Sequence, residues 1–157
     1  MLIRKIVSGG QTGADRAALD WAIAHGIPHG GWCPQGRRAE DGVIDVRYNL
    51  TETPARRYDV RTRWNVRDSD ATLLLSLHSE LQGGSRFTQV YARRLGRPCL
   101  HLHPGAGIGP VLADFFAAHR IEVLNVAGPR VGREPGIVAY VTAVLDAHLA
   151  FFELPRN

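Results

Sequence analysis

The chain has 157 residues and a mass of 17.3 kDa, enough for one domain, and its 45% apolar and 22% charged residues exclude intrinsic disorder. No apolar run approaches the ~20 residues of a membrane span, and Met1-Leu2-Ile3-Arg4-Lys5 lacks the basic-then-apolar order of a secretory signal, so a cytosolic protein without membrane association is expected. The net charge is +4, carried by eighteen Arg and the single Lys5, and eight of the Arg fall between Arg37 and Arg67 against five acids, which suits an anionic ligand. Stacking aromatics are not interleaved with these cations, which argues against a nucleic-acid track. Cys33 and Cys99 are too few for a disulfide framework and fit a reducing compartment.

Leu2 to Val7 reads as a short apolar strand. Ala14 to His25 reads as a helix, with Ala14, Ala17, Ala18, Trp21 and Ala22 at three- and four-residue spacings. The switch falls in Gly9-Gly10-Gln11-Thr12-Gly13, where Thr12 and Asp15 have the spacing of a capping box. Gly26 stops the helix, Ile27 to Cys33 is a second strand, and Pro34 ends it. Gln35 to Tyr58 is polar, carries Gly36, Gly42 and Pro54 and shows no sustained period. It reads as a long loop with at most one helical turn, a length that in a compact domain signals function or disorder.

Asp59 to Arg67 is a short helix expected to turn Val60 and Trp64 inward, and Ala71 to Leu77 is the clearest buried strand. A second glycine turn, Gln82-Gly83-Gly84-Ser85, leads into a helix from Phe87 to Leu95, stopped by Gly96, and then into the strand Pro98 to His103. A helix from Pro110 to His119, a fifth strand from Ile121 to Val126 and a helix opened by Pro135 and running to Ala150 complete the chain. Five strands alternating with helices predict a single α/β domain over residues 1–157, with a doubly wound, Rossmann-like parallel sheet covered by helices on both faces.

In such sheets ligands bind beyond the carboxyl ends of the strands, where the strand order reverses. The flavodoxin-like order 2-1-3-4-5 sets the first and third strands side by side there, so Gly9 to Gly13 and Gln82 to Thr88 would flank one crevice. Glycine admits close backbone approach to an anion, and each helix N-terminus adds a favourable dipole. Gly9-Gly10-x-x-Gly13 is not the dinucleotide fingerprint, and no GxxxxGK[ST] is present, which removes the NAD-dehydrogenase and P-loop readings. Arg130, after Gly128-Pro129 at the end of the fifth strand, falls on the ligand side with Asn125 as its neighbour.

Other residues carry weaker signals. His101 and His103 share one face of the fourth strand but have no third metal ligand nearby in sequence, which favours hydrogen-bonded or solvent-facing histidines. Cys33 reads as a small buried hydrophobe, and Trp21 and Trp64 as core. Trp32 is open to core packing or to stacking on a flat ring. Asp68 and Asp70 are open to turn chemistry or to a subunit or ligand contact. Phe151, Phe152 and Leu154 are open to a subunit contact or a cap on the core.

Ser8-Gly9-Gly10-Gln11-Thr12-Gly13-Ala14-Asp15, Gly31-Trp32-Cys33-Pro34 with Gly36-Arg37 and Ala39-Glu40-Asp41-Gly42, Arg61-Thr62-x-Trp64-Asn65-Val66, Asp68 to Leu73, Gly83-Gly84 and Asn125 to Arg130 resemble the molybdenum-cofactor carrier family of the SLOG superfamily. The resemblance covers nearly the whole chain. It implies a Rossmann-like homotetramer that binds the molybdenum cofactor, a phosphate-bearing pterin, protects it without catalysis and passes it to a molybdoenzyme acceptor. The metal would enter on the cofactor's own sulfurs, so no protein metal site is required. Gly9, Gly10, Gln11, Thr12 and Gly13 with Asp15 would form a first anion cradle, and Gly83, Gly84, Ser85 and Thr88 a second. Arg37, Glu40 and Asp41 would close the site from the long loop, beside Arg130.

Related phosphoribohydrolases use an Arg and a Glu just past a PGGxGTxxE loop. Here Gly83 to Pro98 contains no carboxylate, which disfavours that enzyme unless Glu80 or Glu40 substitutes from a neighbouring loop. A nucleotide-sensing protein without turnover is the third alternative.

Overall fold

The computed structural model describes residues 3–105 and 107–153; the side chains of residues 151–157, and with them the contact considered for Phe151, Phe152 and Leu154, lie outside the described residues. The elements, in chain order, are β1 (Lys5–Val7), α1 (Ala14–Ala24), β2 (His29–Gly30), β3 (Trp32–Cys33), β4 (Arg38–Ala39), β5 (Gly42–Val43), β6 (Thr51–Glu52), α2 (Tyr58–Arg67), β7 (Ala71–Leu75), α3 (Gly83–Arg94), β8 (Cys99–Leu102), α4 (Ile108–Ala118), β9 (Val123–Ala127) and α5 (Ile137–Glu153).

The central sheet is parallel and five-stranded, in the order β2-β1-β9-β7-β8. Counting only these strands, the order is 2-1-5-3-4 rather than 2-1-3-4-5: the last strand of the chain inserts between the first and the third. Ile6 is in register with Leu124, and Leu73 with Val126. If β9 is counted as the first strand, the order becomes 3-2-1-4-5, that of a dinucleotide-binding Rossmann sheet. The chain is thus a circular permutation of that arrangement, and the order reverses between β9 and β7.

The insertion follows from burial. Leu73, Leu74, Leu75, Leu124 and Val126 are each at most 1% exposed, as central strands covered on both faces require, whereas three of the four residues of β8 are only partly buried at the sheet edge. Asp70 fastens the insertion, because its carboxylate accepts the Glu122 and Val123 N–H groups at 2.9 and 2.8 Å where β9 begins. Asp70 therefore serves the sheet, and Asp68 serves a neighbouring junction by accepting the Trp32 indole N–H at 2.8 Å. Trp32 also meets Trp64 edge-on at 4.7 Å, so the Trp32 ring belongs to that packing.

Helix α5 packs against both α1 and α4, and α2 packs against α3. The small residues Ala14, Ala17, Ala18 and Ala22 line the buried side of α1 and join the core around Ile6, Leu124, Val141 and Leu145. Full burial of each large aliphatic side chain contributes about 1.5–3 kcal/mol. A second cluster, Leu19, Cys33, Ile44 and Tyr48, anchors the long polar segment.

Several local expectations are corrected. The second strand is split: β2 stays in the central sheet, while β3 leaves it to pair with β6. Gly31, at φ 126° and hard against the Ser8 carbonyl, makes that bend, a conformation and clearance that only glycine supplies. The long segment is ordered by the β4–β5 hairpin and by β6. The capping box does not form: Gly13 is the N-cap of α1 without a side-chain cap, and the Thr12 hydroxyl donates to Glu40 instead. In α2 the buried residues are Arg61, Asn65 and Val66, while Val60 and Trp64 are only half-buried. That helix turns a polar stripe inward because it walls a cavity.

Candidate functional site

A cavity of about 770 Å³ opens where the strand order reverses. Its floor includes Asn125 and Ala127 of β9, and its walls are the inward stripe of α2, the β7–α3 connection with the first turn of α3, and the β9–α5 loop. The volume lies within the ~300–1,000 Å³ usual for a small-molecule site.

Eight of the residues singled out from sequence line this cavity: Gly9, Gln11, Asp15, Gly83, Gly84, Ser85, Thr88 and Arg130. The two glycine segments reach this one cavity without being neighbours, since β9 and its loop lie between them. The second segment is not a loop before the helix: Gly83, Gly84 and Ser85 are the first turn of α3, whose N-cap Gln82 makes no side-chain cap. The turn's N–H groups are thus left for an anion. Gly83 has φ +53°, and a Cβ there would lie 2.7 Å from the Arg133 guanidinium. Among the described residues Arg133 makes no ion pair, so a free cation stands directly over the uncapped helix start. The Thr88 hydroxyl donates back to the Gly84 carbonyl at 2.8 Å.

The first segment is braced differently. A Cβ on Gly9 would overlap the guanidinium of Arg61, which crosses this backbone to reach Asp15 at 3.3 Å. Both side chains are nearly buried, at 11% and 8% exposure. Burial raises the Asp15 carboxyl above its usual range, opposed by Arg61 and by the Gln11 and Gly9 N–H groups. An ion pair this deep is costly to desolvate, which marks the wall as specialised.

Gly10, Thr12, Gly13, Arg37, Glu40 and Asp41 do not line the cavity. Gly10 faces Leu50, 2.5 Å from where its Cβ would be. Gly13 abuts the Pro129 carbonyl and holds the β1–α1 and β9–α5 loops together. Arg37 donates to the carbonyls of Ile44, Asp45, Tyr48 and Leu50, which makes it the staple of the long segment. Asp41 pairs with Arg16, and that hydrogen bond is the main cause of its lowered pKa.

Glu40 is a clasp. It accepts the Thr12 hydroxyl and the Gly132 N–H and lies 3.2 Å from Arg130 Nε, while its own N–H donates to Gln11 at 2.8 Å. Those bonds, Thr12 first and then Gly132, hold the Glu40 carboxyl below its usual 4.5. The long segment, up to the start of α2, therefore positions the walls from behind and does not line the cavity.

Sequence reasoning did not single out Arg61, Ser76, His78, Arg133 or Glu134 for the site, yet all five line the cavity. The polar pair Arg61 and Asn65, one helical turn apart, was the available signal for α2. Ser76 donates to the His78 carbonyl at 2.8 Å, so its oxygen is left to accept from His101 Nε2 at 2.6 Å. Burial, then the neighbouring His103, lowers the His101 pKa. His101 is thus a hydrogen-bonded histidine, and among the described residues no group of three His, Cys, Asp or Glu could hold a metal ion. No helix of the described residues is long and apolar enough to cross a membrane.

Residues 6–149 match the family described as the circularly permutated YpsA SLOG family. The chain is also similar, at 47% identity and a TM-score of 0.89, to a crystal structure described as a "putative molybdenum carrier protein" from Syntrophus aciditrophicus, over 94% of this chain and 95% of that one. No curated protein matches the chain.

Proposed function

Because the chain belongs to the circularly permuted YpsA family of SLOG proteins, we propose that it binds the molybdenum cofactor, shelters it and hands it to a molybdoenzyme acceptor without catalysing a reaction on it. The observation that carries this reading is the pairing, inside a cavity of ligand size, of the uncapped α3 N-terminus with the unpaired Arg133 guanidinium. Backbone N–H groups and a forked cation together suit a terminal phosphate monoester. The carrier name of the 47% identical neighbour supports the choice of cargo. Arg130 would join the phosphate side, and the Glu40 clasp would hold its loop in place. The metal would ride on the pterin's own sulfurs. A homotetramer and a cytosolic setting belong to the same reading.

A second reading, hydrolysis of a nucleoside monophosphate, is favoured by one observation. Asp15, Asp59, Glu80 and Glu134 all line the cavity, so carboxylates are present although α3 lacks one. Glu40, by contrast, is held outside it. Native mass spectrometry of the protein mixed separately with molybdenum cofactor and with nucleoside monophosphates separates the two. Retention of intact cofactor with no free base supports the carrier. Free base released from a monophosphate makes the protein a hydrolase.

A further inference from the structure

Phosphate recognition leaves open what reads the heterocycle, and the cavity holds a carboxylate that the anion cradle does not use. Glu134 is 8% exposed and lines the cavity from the β9–α5 loop. Its backbone is fixed on both sides, since its N–H donates to the Arg130 carbonyl at 3.0 Å and its own carbonyl accepts from Ile137 at 3.1 Å. The side chain crosses the reversal point between β9 and β7, where Oε1 accepts the Leu77 N–H at 2.9 Å and lies 3.6 Å from His78 Nε2.

Oε2 has no partner among the described residues, and it is not among the buried polar atoms sealed off without one, so it opens into the cavity. Asn125, on the floor, is similar: its amide nitrogen donates to the Thr72 hydroxyl at 3.1 Å, and its carbonyl oxygen is left as a second acceptor. Among the described residues the protein supplies no donor to Oε2, so a ligand that displaces solvent from the cavity keeps this oxygen satisfied only by donating to it.

We infer that Glu134 selects the ligand's ring, by accepting from the adjacent N–H and NH₂ groups of a 2-amino-4-oxopyrimidine edge. Pterins and guanine share that edge. Lumazine and hypoxanthine lack the amino group, and adenine and cytosine turn a ring-nitrogen lone pair toward a carboxylate. The inference rests on the cavity being the ligand site of the carrier reading, but it names the residue that reads the ring and extends to either source of it.

Calorimetric titration of the full chain with pterin against lumazine, and with GMP against IMP, tests it. Wild type is expected to prefer the amino-bearing member of each pair by at least about tenfold, because a site built around a hydrogen bond penalises the analogue that lacks it. In Glu134→Gln the amide oxygen still accepts the Leu77 N–H, and the preference is expected to fall to within about threefold. Equal wild-type affinities within the pairs, no binding of any of the four, or discrimination preserved in Glu134→Gln overturns the assignment. Because the wild-type ratios decide on their own, an unstable variant does not protect it. Cofactor retained without discrimination sinks Glu134 alone. GMP preferred over IMP by a protein that does not retain the cofactor sinks the carrier reading and leaves Glu134 standing.

Discussion

Replacing Arg133 by Ala isolates the phosphate end of the site. The guanidinium lies over the start of α3, 2.7 Å from where a Gly83 Cβ would be, and among the described residues it has no ion pair to lose. Folding stability should therefore change by no more than about 0.5 kcal/mol, the usual range for a surface substitution away from special features. A hydrogen bond between charged partners contributes about 1.5–3 kcal/mol, and because Arg133 is solvent-exposed the lower end applies. About 1.5 kcal/mol corresponds to roughly a tenfold loss of affinity. The α3 N–H groups remain in the variant, so binding should weaken without disappearing.

The assay is fluorescence anisotropy with the oxidised, fluorescent pterin of the cofactor, with and without its terminal phosphate. Wild type should prefer the phosphorylated form, and Arg133→Ala should remove about tenfold of that preference while leaving the dephosphorylated form unaffected. Salt should weaken wild-type binding more than binding by the variant. Gly83→Ala should give a smaller loss in the same direction, because its Cβ displaces the guanidinium and its backbone sits at φ +53°. An unchanged preference in Arg133→Ala, or an equal loss for both forms, would refute the phosphate assignment.

Three further outcomes follow from the same geometry. Arg37→Ala should cost about 2 kcal/mol and speed amide exchange and proteolysis between residues 36 and 50, because four carbonyls lose their donor; unchanged exchange there would contradict the staple role. Gly128→Ala should lower the melting temperature by roughly 5–10 °C, since its Cβ would overlap the Leu75 carbonyl and crowd Ala14, at an overpacking cost of about 2–3 kcal/mol. A melting temperature equal to wild type would show that the β9–α5 loop has slack. For Glu40 the folded pKa lies below 4.5, so its ionisation adds stability above that value and loses it as the pH falls through the folded pKa. Glu40→Gln should thus melt below wild type near neutral pH, with the gap closing in acid below 4.5, and a gap independent of pH would remove the clasp.

The periodicity of the chain determined its alternating strands and helices, the Rossmann-like class and two glycine segments that both reach the cavity. These are local properties: Leu73 to Leu75 is apolar without interruption, and Ala14 to Ala22 repeats at helical spacing whatever else the chain does. Several of the fine assignments depended on partners distant in sequence. Thr12 and Asp15 have the spacing of a capping box, but Glu40 and Arg61, brought in from elsewhere, claim their side chains. Arg37 had the composition of an anion ligand, and the carbonyls that surround it became its partners instead.

Strand order, above all, was decided by the tertiary structure. The same alternating elements can be wound as 2-1-3-4-5 or 2-1-5-3-4, and the choice rests on which strands bury both faces and on nonlocal bonds such as those that Asp70 accepts from the start of β9. Inserting β9 between β1 and β7 moves the reversal point to the β9–α5 loop. Arg133 and Glu134 sit on that loop, and no spacing in the sequence ties them to Gly83 or Leu77. Their place in the cavity follows from the packing of the sheet.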